Sequence, residues 1–185
     1  MKEKQRDFLK LCLADALLKL MEEQDFSEIS VNAICKTADI GRTTFYRYFG
    51  GRNSKEEVLI FKITYEWEIY RQKHEDEVKR DQGYAMSCYV YENRKVFSLI
   101  YRHHLTGVLL DAFARLTTQG EMVGREQSYL QSFFVCGYFG IMYQWIRYGF
   151  DETPEQVQRH IAETFASAVS RAQDAHSASG ERTSK

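Results

Sequence analysis

One proline, Pro154, stands in a chain of 185 residues, and 11 residues are glycine. These are the two residue types that interrupt helices, proline by lacking an N–H and glycine by its backbone freedom. A chain so short of breakers, with apolar residues recurring every three to four positions, is constrained toward long helices. Between residues 5 and 22, Leu9, Leu13, Ala16, Leu17 and Leu20 keep that spacing, while Lys10, Asp15, Lys19 and Glu22 fall off the stripe. No stretch of useful length alternates polar and apolar residues as a strand would, so the predicted fold class is all-α.

The finer pattern divides the chain. Gln24-Asp25-Phe26-Ser27 ends the first helix, and Ser30 is placed to cap a helix over Val31–Thr37. Ala38-Asp39-Ile40 makes a tight connection in which Asp39 tolerates a left-handed backbone. Gly41 then opens a helix over Arg42–Tyr48. Val31, Ile34, Cys35, Ala38, Ile40, Phe45 and Phe49 are the apolar set that holds these two short helices to the first. After the loop Gly50-Gly51-Arg52-Asn53, Ser54 and Glu57 have capping-box spacing. They open a long helix predicted to reach about Lys79, with Val58, Phe61, Tyr65 and Ile69 along one side. Further helices are predicted over 84–101, 105–118 and 126–149, and a last one from Pro154. The predicted units are residues 1–55, a three-helix head; residues 56–176, a helical bundle joined to it by the long helix; and a disordered Ser/Gly/charged tail, 177–185.

The head has the parts of a helix-turn-helix: a supporting helix, a helix that crosses the DNA backbone and a recognition helix for the major groove. Its second short helix presents Arg42, Thr43, Thr44, Tyr46, Arg47 and Tyr48 outward. Arg42 and Arg47 can bond a guanine edge bidentately or reach phosphates. Thr43 and Thr44 can donate to phosphate or touch a thymine methyl, and Tyr46 and Tyr48 carry phosphate donors on stiff side chains. Charge alone argues little. The chain is −1 in total, with a net +2 on residues 1–55 and −3 on the rest.

The run Ile29-Ser30-Val31-Asn32-Ala33-Ile34-Cys35, Ala38 through Phe49 and Lys55-Glu56-Glu57-Val58-Leu59 closely resembles the tetracycline-repressor (TetR) family of bacterial regulators. The resemblance implies a double-stranded DNA partner. It makes Tyr46 a phosphate-binding tyrosine, places Arg42, Thr43, Thr44 and Arg47 on bases or backbone, and extends the DNA-facing set to Ser30, Thr37, Gly41 and Tyr48. Lys55 matches a lysine that contacts phosphate from the start of the fourth helix. The loop before it is longer than the family's usual one, which leaves that role open between Lys55 and Arg52. Asp39 and Gly41 also depart from the family's usual glycine and hydroxyl residues.

Farther on, Phe133-Phe134, Gly137, Gly140-Ile141, Trp145-Ile146-Arg147, Gly149-Phe150 and Thr153-Pro154-Glu155 resemble the C-terminal domain of Firmicutes TetR-like proteins, a group that includes the dihydroxyacetone-kinase regulators. That resemblance implies a homodimer through the last two helices, with Gly137, Gly140, Gln144, Ile161, Phe165 and Ala168 at the interface, and so a palindromic operator. The aromatic-rich middle, Tyr65, Tyr89, Phe97, Tyr101 and Phe113 among others, is read either as packing core or as the lining of an effector pocket. The effector of such a chain is a small molecule or a partner protein. In the second case it is a co-regulator.

Other classes lack their signatures. His103-His104 has no matched carboxylate or cysteine, so a solvated or capping role is predicted and no metal or cofactor. Cys12, Cys35, Cys88 and Cys136 are unpaired in spacing and are predicted to be buried, reduced thiols. With no nucleophile elbow, phosphate loop or HExxH, an enzyme is not expected. No apolar run is long enough for a membrane span, and the charged start has no signal-peptide character, so a cytoplasmic regulator, a repressor released by its effector, is the expectation.

Overall fold

The computed structural model describes residues 2–117, 124–164 and 166–167, and every regular element among them is a helix. In chain order these are α1 (Lys2–Glu23), α2 (Val31–Ala38), α3 (Arg42–Tyr48), α4 (Ser54–Lys73), α5 (Glu75–Arg80), α6 (Gln82–Glu92), α7 (Arg94–Arg102), α8 (Thr106–Thr117) and α9 (Arg125–Arg147). A tenth, α10, covers residues 154–164. The all-α expectation holds. The tail predicted over 177–185 and the interface residues Phe165 and Ala168 lie outside what is described.

One apolar core runs from Leu13 in α1 to Val157 in α10. Its axis is α4, which packs along both α1 and α8. Val58, Leu59, Ile60, Ile63, Trp67 and Tyr70 are all buried on it. Three consecutive buried positions cannot share one face of a helix, so α4 is covered on several sides, as a helix between two layers must be. Each such side chain contributes about 1.5–3 kcal/mol by leaving water. Polar ties add direction: Lys62 in α4 bonds Asp15 in α1 at 2.7 Å, and Arg115 in α8 grips Glu57 in α4 through two bonds of 2.9 and 2.7 Å.

Three expectations are corrected. The long helix does not reach Lys79. It breaks at His74 (φ −116°), whose ring stacks on Tyr70 at 4.3 Å. The α5 segment beyond has one apolar residue, the half-buried Val78, and no continuous apolar face to hold it in line with α4. The predicted 84–101 helix is two, divided at Asn93, whose side chain donates to the Tyr89 carbonyl at 3.0 Å. Asparagine competes for backbone groups in this way and so ends helices. The capping box does not form. Asn53 is the N-cap without a side-chain bond, Ser54 is already helical, and Glu57 turns to Arg115 instead.

Candidate nucleic-acid interface

Local chemistry builds the head as the sequence suggested. Ser30 Oγ accepts the Ala33 N–H at 3.1 Å and caps α2. Asp39 sits at φ 53°, ψ 42°, and its left-handed turn returns Ile40 N–H to the Cys35 carbonyl at 2.9 Å. Gly41 then starts α3 in extended backbone without a side-chain cap.

Two rings fix how α3 lies. Phe45 is fully buried and Phe49 nearly so, 5.8 Å apart between ring centroids. Phe49 also meets Phe61 of α4 at 5.9 Å. Burying positions 45 and 49 turns the opposite face outward. Arg42, Thr43, Tyr46 and Arg47 are exposed there, while Thr44 and Tyr48 are half-buried. Tyr46 is 46% exposed, unusual for a large ring, with the Arg42 guanidinium 6.0 Å from its centroid. Ser30, Thr37 and Gly41 are exposed on the same unit. The surface therefore offers two guanidiniums, hydroxyl donors and an aromatic ring on one short, rigid helix. That inventory suits a phosphate backbone and base edges in a groove. Behind it, burial raises the Cys35 thiol above its ordinary pKa, with Arg42 pulling the other way.

The long loop after α3 has a physical cause for each glycine. A Cβ on Gly50 would lie 2.7 Å from the Tyr46 carbonyl oxygen, and Gly51 has φ +143°, which favours glycine. The loop leaves Arg52 exposed. Beside it a cleft of about 510 Å³ opens, to which Lys10, Arg52 and Arg115 all contribute. Lys10 lies over the Phe61 ring at 4.6 Å. Sequence reasoning had not singled it out, because nothing in the spacing of α1 ties it to residues forty to fifty positions away.

Lys55 is placed differently from a free phosphate contact. Its Nζ donates to the Phe26 carbonyl at 2.7 Å and the Ile29 carbonyl at 2.8 Å, with the ammonium 4.4 Å from the Phe26 ring centroid. Burial lowers its pKa, with Glu56 opposing. His103, expected to be solvated or to cap, stands at the C-cap of α7, half-buried and bonded to the backbone of Met21 in α1 and of Phe26 beyond it. All four cysteines are free thiols, but Cys35 alone is buried as expected: Cys12 and Cys88 are half-buried and Cys136 is exposed.

Of the five aromatic residues of the middle, three touch in sequence, Tyr101 joins them through Tyr143 and Phe139, and Tyr65 lies apart. Tyr89, Phe97 and Phe113 are each 1% exposed and follow one another in ring contact at 6.0 and 6.2 Å. Tyr101 instead packs on Tyr143, and Tyr65 on Phe61. Within this region the Trp67 indole N–H is buried without a hydrogen-bond partner among the described residues. On the outer side of α9, Gly137, Gly140, Gln144 and Ile161 together line a groove of about 530 Å³ against α10. A Cβ on either glycine would meet open space. Tyr129, Leu130, Phe133 and Phe134 continue that helix and are 56–70% exposed.

Among the described residues no helix is long and apolar enough to cross a membrane, and no cluster of three His, Cys, Asp or Glu side chains could hold a metal ion. Residues 13–60 match the family model for bacterial regulatory proteins of the tetR family. Residues 76–167 match a model of a transcriptional-regulator C-terminal region. No curated protein matches the chain.

Proposed function

Because the chain belongs to the TetR family of bacterial regulators and carries its helix-turn-helix DNA-binding unit, we propose that it is a cytoplasmic, homodimeric repressor released from a palindromic operator by an effector. The observation that carries this reading is α3, where buried Phe45 and Phe49 hold Arg42, Thr43, Tyr46 and Arg47 toward solvent. Tyr46 sets position on phosphate, and Arg42, Thr43, Thr44 and Arg47 share the reading of bases. Ser30, Thr37, Gly41 and Tyr48 border the same DNA. Arg52 takes the phosphate role at the start of α4, since the Lys55 ammonium already serves two carbonyls.

The dimer reading draws on the groove at Gly137, Gly140, Gln144 and Ile161 and on the exposed aromatic row of α9. Soluble chains seldom leave so large an apolar patch uncovered, and a second copy covers it symmetrically. Two recognition helices then stand roughly 34 Å apart, one turn of DNA. The small-molecule form of the effector draws on the buried Trp67 N–H, which has no partner among the described residues and would take a hydrogen-bond acceptor. The C-terminal motif shared with the Firmicutes kinase-regulator group supports a second reading, in which a partner protein replaces the small molecule.

Footprinting on the DNA upstream of the chain's own gene tests the proposal. A protected palindrome that weakens with salt is expected. A folded dimer with no sequence preference there, or on a randomised DNA pool, overturns it.

A further inference from the structure

Residues 24–30 connect α1 to α2, and this strap is gripped from two sides. From α7, His103 Nδ1 accepts the Phe26 N–H at 3.3 Å, and its Nε2 lies 2.7 Å from the Met21 carbonyl oxygen. From α4, Lys55 donates to the carbonyls of Phe26 and Ile29. The next residue after Ile29 is Ser30, the cap of α2.

The partners fix the state of the imidazole. A carbonyl cannot donate, so Nε2 must carry a proton. An N–H cannot accept, so Nδ1 must be bare. Of the three imidazole species, the neutral Nε2–H tautomer alone makes both bonds. A residue at the end of one helix thereby reads the backbone of a segment 77 positions away.

We propose that His103 is a positioning residue for DNA reading, the neutral imidazole that ties the end of α7 to the entry of α2 through the Phe26 backbone. Movement in the bundle then reaches α2 and α3 through the strap as well as along α4. Packing supports this route: α7 touches α1, α1 touches both α2 and α3, and α2 touches α3. The proposal deepens the operator-binding reading above and rests on it for its consequence in DNA affinity, though not for the link itself.

Full-length protein tests it with His103→Phe, which keeps a flat ring and removes both bonds, and His103→Gln, whose amide supplies one donor and one acceptor. Nitrogen-15 spectra of the wild-type imidazole should show the proton on Nε2. Amide exchange at Phe26 should quicken about tenfold in the Phe variant and return to within about threefold of wild type in the Gln variant. Operator affinity should fall and recover in the same order. A proton on Nδ1, unchanged Phe26 exchange in the Phe variant, or operator affinity that ignores a quickened Phe26 amide would each overturn the proposal. If His103→Phe does not fold, the tautomer and the exchange in His103→Gln still decide it. A wild-type chain that binds no operator fails the regulator reading alone, and the spectrum and the exchange rates still judge the link.

Discussion

Replacing Lys55 with methionine separates two roles that one lysine could hold. Methionine keeps an aliphatic stem of similar length over Phe26 and removes the ammonium. Two bonds disappear, of 2.7 and 2.8 Å, both from a charged donor to backbone carbonyls, together with the contact to the Phe26 ring. Bonds to charged groups contribute about 1.5–3 kcal/mol each when partners are buried, and a partly exposed cation–ring contact about 0.5–1 kcal/mol. The site is part-buried, and water recovers some of each carbonyl's loss, so the expected destabilisation is about 2–3 kcal/mol. For a chain of this size that lowers Tm by about 4–12 °C. Thermal unfolding by circular dichroism reads the first quantity. Operator titration over a range of salt reads the second, since each phosphate contact removed reduces the logarithmic salt slope by about 1. The structure predicts a lower Tm with an unchanged slope. Arg52→Ala is the counterpart and should lower the slope with Tm unmoved. An unchanged Tm in Lys55→Met, together with a slope reduced by about 1, would refute the reasoning and return the phosphate role to Lys55.

Phe45→Ala should cost about 3–5 kcal/mol in urea unfolding, because a fully buried ring is removed from the heart of the head. Tyr46→Phe should weaken binding alike on all sequences, whereas Arg47→Ala should relax preference at one base pair by about 1–3 kcal/mol; competition assays with single-substitution operators distinguish the two. Gly140→Leu should leave the protomer folded, or steadier by about 0.5–1 kcal/mol through helix propensity, since its Cβ enters open space. On the dimer reading the same change shifts sedimentation equilibrium toward monomer.

The head was legible because its signals are local. A serine cap, an aspartate turn and two phenylalanines four apart specify α2, the turn and α3, and α3 spans Arg42–Tyr48 as its residues predicted. The break at Asn93 had a local signal too, in a residue that competes for backbone bonds, while the break at His74 did not. That one depends on α5 having a single apolar residue, the half-buried Val78, to pack against the core. The site residues divide in the same way. Exposure of Arg42, Tyr46 and Arg47 follows from helical spacing. The places of Lys55, Lys10 and His103 follow from contacts with distant parts of the chain, where spacing is silent. Glu57 had the right spacing for a cap and a better partner in Arg115, 58 positions away.

Both grips on residue 26 are made to main-chain atoms. Evolution can therefore exchange the side chain there, with consequences for packing, and leave the two attachments intact. Proline is the exception. It has no N–H, so Phe26→Pro would cut the bond from α7 while sparing the carbonyl that Lys55 holds. A connection of this kind leaves its mark in the one residue a position must refuse rather than in the residues it keeps, and comparing side chains alone would pass over it.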